Sequence, residues 1–307
     1  MRDIGALTQA ALQWLMSIVG ALLAALSVIA IVFTSALLRA AHKRGELKPN
    51  VEAIGLGAVT NFFDTLGIGS FAPTTAYMKI RKMAPDSCFP AILNAGQALP
   101  TVAQALVFIT LVEVDPVLLI SCIAASVAGA IVGAPIVQRS PVRLVQGVVG
   151  IALLIAAALY AMRNLGIGPE GGEALTLPTA LFAIAVGAHF LMGVLMMFGI
   201  GLYAPSLIVL SLLGLNPTAA FPIMMGSCAF LMPISSLRFV GSDRIDLRIV
   251  LGLAIGGIPA VLLAAFVVKS LDLVTLRWLV VAVVLYAAAL LLRSAFQKKP
   301  EASAAAA

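Results

Sequence analysis

Gly67-Ile68-Gly69-Ser70-Phe71-Ala72-Pro73 returns 132 residues later as Gly199-Ile200-Gly201-Leu202-Tyr203-Ala204-Pro205. The same offset carries Pro85 onto Pro217 and Phe89-Pro90 onto Phe221-Pro222. Each copy sits inside a long apolar stretch and interrupts it. Glycine frees the backbone there, and an Ala-Pro pair suits the first turn of a new helix. Two copies of one apolar unit, each broken at the same place, are the pattern of a membrane transporter with its site at the breaks.

Composition agrees. Of 307 residues, 62% are hydrophobic and only 10% are charged, where a soluble domain carries about 25% charge. Several runs of about 20 apolar residues are long enough to cross a bilayer. The net charge of +6 is spread over the ends of apolar segments, not gathered in a stripe, so no nucleic-acid partner is expected. Cys88, Cys122 and Cys228 lie in or beside apolar segments without CxxC spacing. They read as small buried hydrophobes, and neither a metal site nor a disulfide framework is expected.

The apolar runs are 10–38, 51–66, 70–80, 88–111, 117–138, 142–162, 178–198, 202–213, 219–237, 247–268 and 274–292. The first is too long for a signal-peptide core and is read as a retained transmembrane helix. Runs 70–80 and 202–213 are too short to span and each follows a Gly-Ile-Gly break, so each is predicted to be the short limb of a helical hairpin. The fold class is all-α and polytopic: two inverted-topology repeats with Gly-broken hairpins, plus an extra N-terminal helix. The divisions are 1–48, 49–165 (first repeat), 166–296 (second repeat) and a disordered tail, 297–307.

Loop charge orients the chain. Arg39, His42, Lys43, Arg44 and Lys48 form the most basic loop, which places it in the cytoplasm. Lys79, Arg81 and Lys82 are basic again, as are Arg139 and Arg143; Glu113 and Asp115 are acidic, and Glu170 and Glu173 dominate the loop near 163–177. Arg238, Arg244 and Arg248 outweigh Asp243 and Asp246. The path that fits has the N-terminus outside, hairpin 51–80 opening to the cytoplasm, three crossings, hairpin 178–213 opening outside, and three more crossings to a cytoplasmic C-terminus. Such inversion suits alternating access.

Deep in the apolar runs, Tyr and Cys aside, only Asp64 and His189 are ionisable. An intramembrane carboxylate costs roughly 2.5 kcal/mol or more on insertion scales, so Asp64 needs a reason. Either it carries a proton or it caps a helix just before the Gly67 break. His189 is either a second proton carrier or a satisfied buried histidine. Asn61 and Thr65 are four apart and share a face, and Asn94 and Gln97 do so at a spacing of three. These amides face the protein interior, to bind substrate or to hydrogen-bond between helices. The repeat sets Asp64 opposite Met196, Asn61 opposite Gly193, Asn94 opposite Gly226 and Gln97 opposite Ala229. The first copy therefore holds most of the polar side chains, while the second offers His189, Tyr203, Ser206, Ser227 and Cys228.

Each break also places the N-terminus of a half-helix, near 70 and 202, inside the protein. Free N–H groups and the positive dipole end bind an anion there without a charged side chain. The expected binding set is Asn61, Thr65, Gly67, Gly69, Ser70, Thr74, Asn94, Gln97, Gly199, Gly201 and Ser227, with Asp64 and His189 for proton coupling. No cofactor is expected.

The paired Gly67/Gly69–Pro73 and Gly199/Gly201–Pro205 motifs, with the downstream Asn94 region, resemble the TauE/SafE family of sulfite and organosulfonate exporters. The resemblance covers most of the chain after about residue 50. It implies export of sulfite, sulfoacetate or a related small sulfur-containing anion across the bacterial inner membrane, driven by the proton gradient. Family members often carry a longer glycine run at the break; here Ser70-Phe71 and Leu202-Tyr203 occupy those places. A passive anion channel shares the site without the coupling. An enzyme is not expected: no HExxH, GxSxG or paired intramembrane Asp is present, and His42 lies in a loop.

Overall fold

The computed structural model describes residues 2–67, 69–85, 88–137, 172–197, 200–241 and 245–270, with isolated helical positions between 151 and 161 and between 275 and 293. Among the described residues nine α-helices occur: α1 (Arg2–Arg44), α2 (Val51–Thr65), α3 (Phe71–Arg81), α4 (Phe89–Leu111), α5 (Pro116–Val137), α6 (Thr179–Met196), α7 (Tyr203–Leu212), α8 (Pro217–Val240) and α9 (Leu247–Ser270). Six contain stretches long and apolar enough to cross a membrane: α1 (over Ile18–Arg44), α4, α5, α6, α8 and α9. This is a multi-pass membrane protein. Large apolar side chains such as Ile31, Val51 and Phe266 face outward, as lipid allows and water does not. The predicted tail 297–307 and the crossings 142–162 and 274–292 fall wholly or largely outside the described residues.

One boundary differs from the sequence reading. Arg39–Arg44 are not loop but the last turns of α1. Basic side chains there face the negative end of the helix dipole and reach water from the membrane edge. The helix stops at Gly45, whose φ of +68° lets the Glu46 N–H return to the Ala41 carbonyl at 2.8 Å. Side-chain caps start α2, α5, α8 and α9. Asn50 accepts from Ala53 N, Asp115 from Val117 N, Asn216 from Thr218 N and Asp246 from Arg248 N. Each satisfies one of the donors a helix start leaves open.

Both predicted short limbs form, α3 with 11 residues and α7 with 10, about 15 Å each. Each folds back beside its longer partner. Arg81 Nε, at the end of α3, donates to Glu52 Oε1 at the start of α2 at 2.6 Å; Tyr77 OH donates to the same oxygen at 2.9 Å. In the second copy, the loop before α6 meets the loop after α7: Asn216 N donates to Ala174 O at 2.8 Å, beside an isolated parallel bridge between Ala174 and Leu215.

The ends of the bundle follow. Arg44 Nη2 donates to Ile245 O at 2.8 Å, Asn50 N to Arg248 O at 2.9 Å, and Leu247 N to Glu46 Oε2 at 3.0 Å. The C-terminus of α1 and the starts of α2 and α9 therefore share one end, rich in arginine. Helix α8 arrives at that end from the mouth of the second hairpin, over 24 residues, so the two hairpins open at opposite ends. The far end carries Glu113, Asp115 and Glu173.

Packing repeats the exchange. The long limb α2 packs chiefly on α9, the last described helix of the second copy, and α6 packs on α5 of the first. Helices α4 and α8 pack on each other between them. Glycine permits both close crossings. A Cβ at Gly57 would strike the Leu253 backbone, and one at Gly193 the Ser126 backbone. Small residues let apolar helices approach until backbones touch, which is how helices attract one another without a hydrophobic drive.

The Glu52 cluster gives one prediction. Hydrogen bonding from Arg81, then from Tyr77, holds the Glu52 carboxyl below the usual carboxylate range. A carboxyl with a lowered folded pKa stabilises above its unfolded pKa, and the benefit is lost as pH falls through the folded one. The pair is solvent-exposed and its worth is small. Glu52→Gln is expected to lower Tm slightly at neutral pH, with wild type and variant converging in acid. A gap that stays constant with pH would count against the ion pair.

Candidate functional site

The breaks at the hairpin tips decide where the polar groups meet. At the first, Gly67 and Gly69 have φ of +92° and +85°, a region side chains with a Cβ rarely adopt. Two such residues reverse the chain direction between α2 and α3. The expected positions of the second break, Gly199 and Ile200-Gly201, are described from Ile200 onward; Gly199 lies outside the described residues. The two tips touch. A Cβ at Gly67 would stand 3.2 Å from Leu207 of α7 and 3.8 Å from Phe221 of α8, and one at Gly201 would stand 3.8 Å from Phe71 at the start of α3.

Asp64 sits against the first tip, buried to 3% exposure. Its Oδ1 accepts the Ser70 backbone N–H at 2.5 Å and its Oδ2 accepts Gln104 Nε2 at 2.9 Å. Of the two readings the sequence left open for Asp64, the capping contact is present: the carboxylate crosses the break and occupies a donor of the α3 N-terminus, which the sequence reading had offered to a substrate. The second copy has Met196 in that position, and α7 begins with no side-chain cap. Met196 Sδ instead takes the Cys228 thiol at 3.7 Å.

Around Asp64 runs a buried network. Gln104 Nε2 also donates to Thr65 Oγ1 at 3.0 Å, while its Oε1 accepts a short bond from Tyr203 OH. Gln104 thereby joins the first hairpin to the second. One turn away, Asn61 Nδ2 donates to Gln97 Oε1 at 2.6 Å, and Gln97 Nε2 donates to Thr74 Oγ1 at 3.2 Å. Asn61, Thr65, Gly67, Ser70, Thr74 and Gln97 are thus brought to one region with Asp64, with Gly69 and Gly201 at the breaks beside it; Asn94 lies one turn before Gln97 on α4 and bonds only to Pro90 O. Ser227 is fully buried on α8 with its hydroxyl unpartnered, and no hydrogen bond among the described residues joins it to the network.

His189 stands apart, bridging α6 and α7. Its Nδ1 lies 2.8 Å from Ala185 O and its Nε2 2.9 Å from Ser206 Oγ. A carbonyl only accepts, so Nδ1 carries a proton; in the neutral ring Nε2 then accepts from the Ser206 hydroxyl. Ser206 is the repeat counterpart of Thr74, so in both copies the hydroxyl one turn past the break is held, by different partners.

Two residues were missed. Thr101 and Gln104 extend Asn94 and Gln97 into a stripe at 3-4-3 spacing along one face of α4, all at 2% exposure or less. The spacing was the available signal.

No curated protein and no solved structure matches the chain. A family model does: residues 181–307, which begin in α6 and include the second break and the three described helices that follow it, match the family described as sulfite exporter TauE/SafE, the one that the paired break motifs resemble.

Proposed function

We propose that this protein is a secondary transporter of a small sulfur-containing anion, sulfite or an organosulfonate such as sulfoacetate, working by alternating access between two inverted repeats. The observation that carries the reading is the contact between the two Gly breaks at a fully buried polar cluster. Broken helices meeting at mid-depth are the usual substrate site of transporters with inverted repeats. The TauE/SafE match over 181–307 supports the anion class.

The anion sits toward the second break. At the first, Asp64 already occupies the Ser70 N–H; at the second, the N-terminal amides of α7 have no side-chain cap and the dipole favours negative charge. Tyr203, Gln104, Thr65 and Asn61 complete the surroundings. Asp64 carries the coupling proton, with His189 as a second carrier. The arginine-rich end of the bundle is cytoplasmic by the positive-inside rule, the location is the inner membrane, and export is the direction.

Binding is testable without a flux assay. Sulfite or sulfoacetate added to the purified protein at about 100 times its Kd is expected to stabilise the fold by about 2.7 kcal/mol, seen as a rise in Tm. Chloride at equal ionic strength is expected to do nothing. Failure of every sulfur oxyanion and sulfonate to raise Tm, together with no anion exchange in proteoliposomes, would overturn the reading.

A further inference from the structure

The polar stripe of α4 is confined to the first copy. Asn94, Gln97, Thr101 and Gln104 correspond to Gly226, Ala229, Pro233 and Ser236 on α8. The stripe spans roughly 15 Å. Gln97 and Gln104 join it to Asn61, Asp64 and Thr65 of α2, Thr101 donates to Met232 Sδ of α8 at 3.7 Å, and Asn94 bonds within α4. Polar groups therefore bridge the seam between α2 and α4, and no stripe of this kind lies on α8.

Two oxygens of the seam have no partner: Asn61 Oδ1 and Asn94 Oδ1. Both side chains are buried, at 0% and 2% exposure. Their orientation is fixed by chemistry. Each amide nitrogen donates to the carbonyl four residues back, Asn61 Nδ2 to Gly57 O at 2.8 Å and Asn94 Nδ2 to Pro90 O at 2.8 Å. Asn61 Nδ2 has Gln97 Oε1 as a second acceptor. Turning either amide over would set oxygen against oxygen. The unpartnered atoms are therefore acceptors, and a buried acceptor without a donor costs about 1–3 kcal/mol.

A fully deprotonated oxyanion offers only acceptors and meets these oxygens as a repulsion. An anion that also carries a hydroxyl satisfies them. Resting on the anion-transport reading above, we infer that the α2–α4 seam selects an anion bearing a hydrogen-bond donor: a singly protonated oxyanion such as hydrogen sulfite, or a hydroxyalkanesulfonate. Asn61 Oδ1, one turn from the break, accepts from the hydroxyl of the bound anion, and its negative group lies toward the α7 amides. Asn94 Oδ1 is the next acceptor along the seam.

The test is a matched pair, 2-hydroxyethanesulfonate and ethanesulfonate, which have the same charge and differ by one hydroxyl. Wild-type protein is expected to bind the hydroxylated anion about tenfold more tightly, the scale of one satisfied buried acceptor. In Asn61→Leu the ratio of the two affinities is expected to fall to about one, even where loss of the Asn61–Gln97 bond weakens both. Asn94→Leu, which breaks no bond to another helix, serves as a second variant. Equal affinity of the wild type for the two anions overturns the inference and leaves anion transport standing. Retention of the full preference in both variants also overturns the assignment of the reading atoms. Binding of neither anion, nor of sulfite, sinks the transport reading itself.

Discussion

Asp64→Asn is expected to leave the protein folded and to abolish anion flux driven by a pH gradient. Asparagine keeps an oxygen for the Ser70 N–H, the contact that ties α2 to α3 across the break. Its amide nitrogen would face Gln104 Nε2, two donors together, but Gln104 relieves this by turning its own amide over. The Thr65 hydroxyl, which accepts from Gln104 Nε2 and donates to Asn61 O, turns to donate to the Gln104 oxygen instead. Tyr203 OH, which now donates to Gln104 Oε1, then accepts instead. The fold loses little and the ionisable group is gone. In proteoliposomes, gradient-driven accumulation should fall to the level of protein-free vesicles, while exchange of anion for anion at equal pH continues. Asp64→Ala is the contrast. It strands Ser70 N–H and Gln104 Nε2 in the buried cluster at about 1–3 kcal/mol each, so its Tm should fall where that of Asp64→Asn does not. Undiminished gradient-driven flux in Asp64→Asn would remove Asp64 from proton coupling, whatever the Tm values. If the coupling proton instead travels only on a protonated substrate, that is the outcome to expect, so this assay weighs the two routes directly.

The elements were legible because they are apolar runs divided by strong punctuation. Eight of the nine described helices fall within three residues of predicted runs, and α1 overruns its run 10–38 at both ends; Gly45, Asn50, Asp115-Pro116, Asn216-Pro217 and Asp246 each terminate or cap a helix by local chemistry. What joins to what was not legible. An apolar helix offers much the same surface to lipid and to a neighbour, so nothing in α2 alone says that it packs on α9 rather than on α5. The glycines that permit the contact, Gly57 and Gly256, look like any others in the sequence. The same limit hid Gln104. As one glutamine in an apolar run it is unremarked, and it becomes a junction only when Asp64 and Tyr203, 139 residues apart in sequence, are folded onto it. The carboxylate at Asp64 was recognisable because its burial demands an explanation; its bond to Ser70 was not, because it spans six positions and crosses the break.

Gly256→Ala is expected to cause the largest loss of stability among single-methyl changes. A Cβ at Gly256 would overlap the Ile54 carbonyl oxygen, with Ile54 C at 2.8 Å and Ala58 N at 3.0 Å. All three are backbone atoms of α2, which cannot swing aside as a side chain does. Relief requires moving α2 away from α9, and with it the Asn61 side chain that packs against Gly257. Overpacking of this kind costs about 1–3 kcal/mol or more, and backbone against backbone lies at the upper end. Gly193→Ala should behave alike, since its Cβ meets the Ser126 carbonyl across the α5–α6 contact. Gly55 and Gly187 are the controls. Each shares a helix with one of these crossings, α2 and α6, and has no atom within 4 Å of a built Cβ. Alanine there should be neutral or slightly stabilising through helix propensity. Thermal denaturation of the four variants in one detergent separates the cases: Tm drops for Gly256→Ala and Gly193→Ala, and not for Gly55→Ala and Gly187→Ala. Equal losses at all four would mean that membrane helices here resent any added methyl. No loss at Gly256 or Gly193 would mean that the crossings are looser than backbone contact, and the hairpin tips would then lack the rigid seats that hold the two breaks against each other.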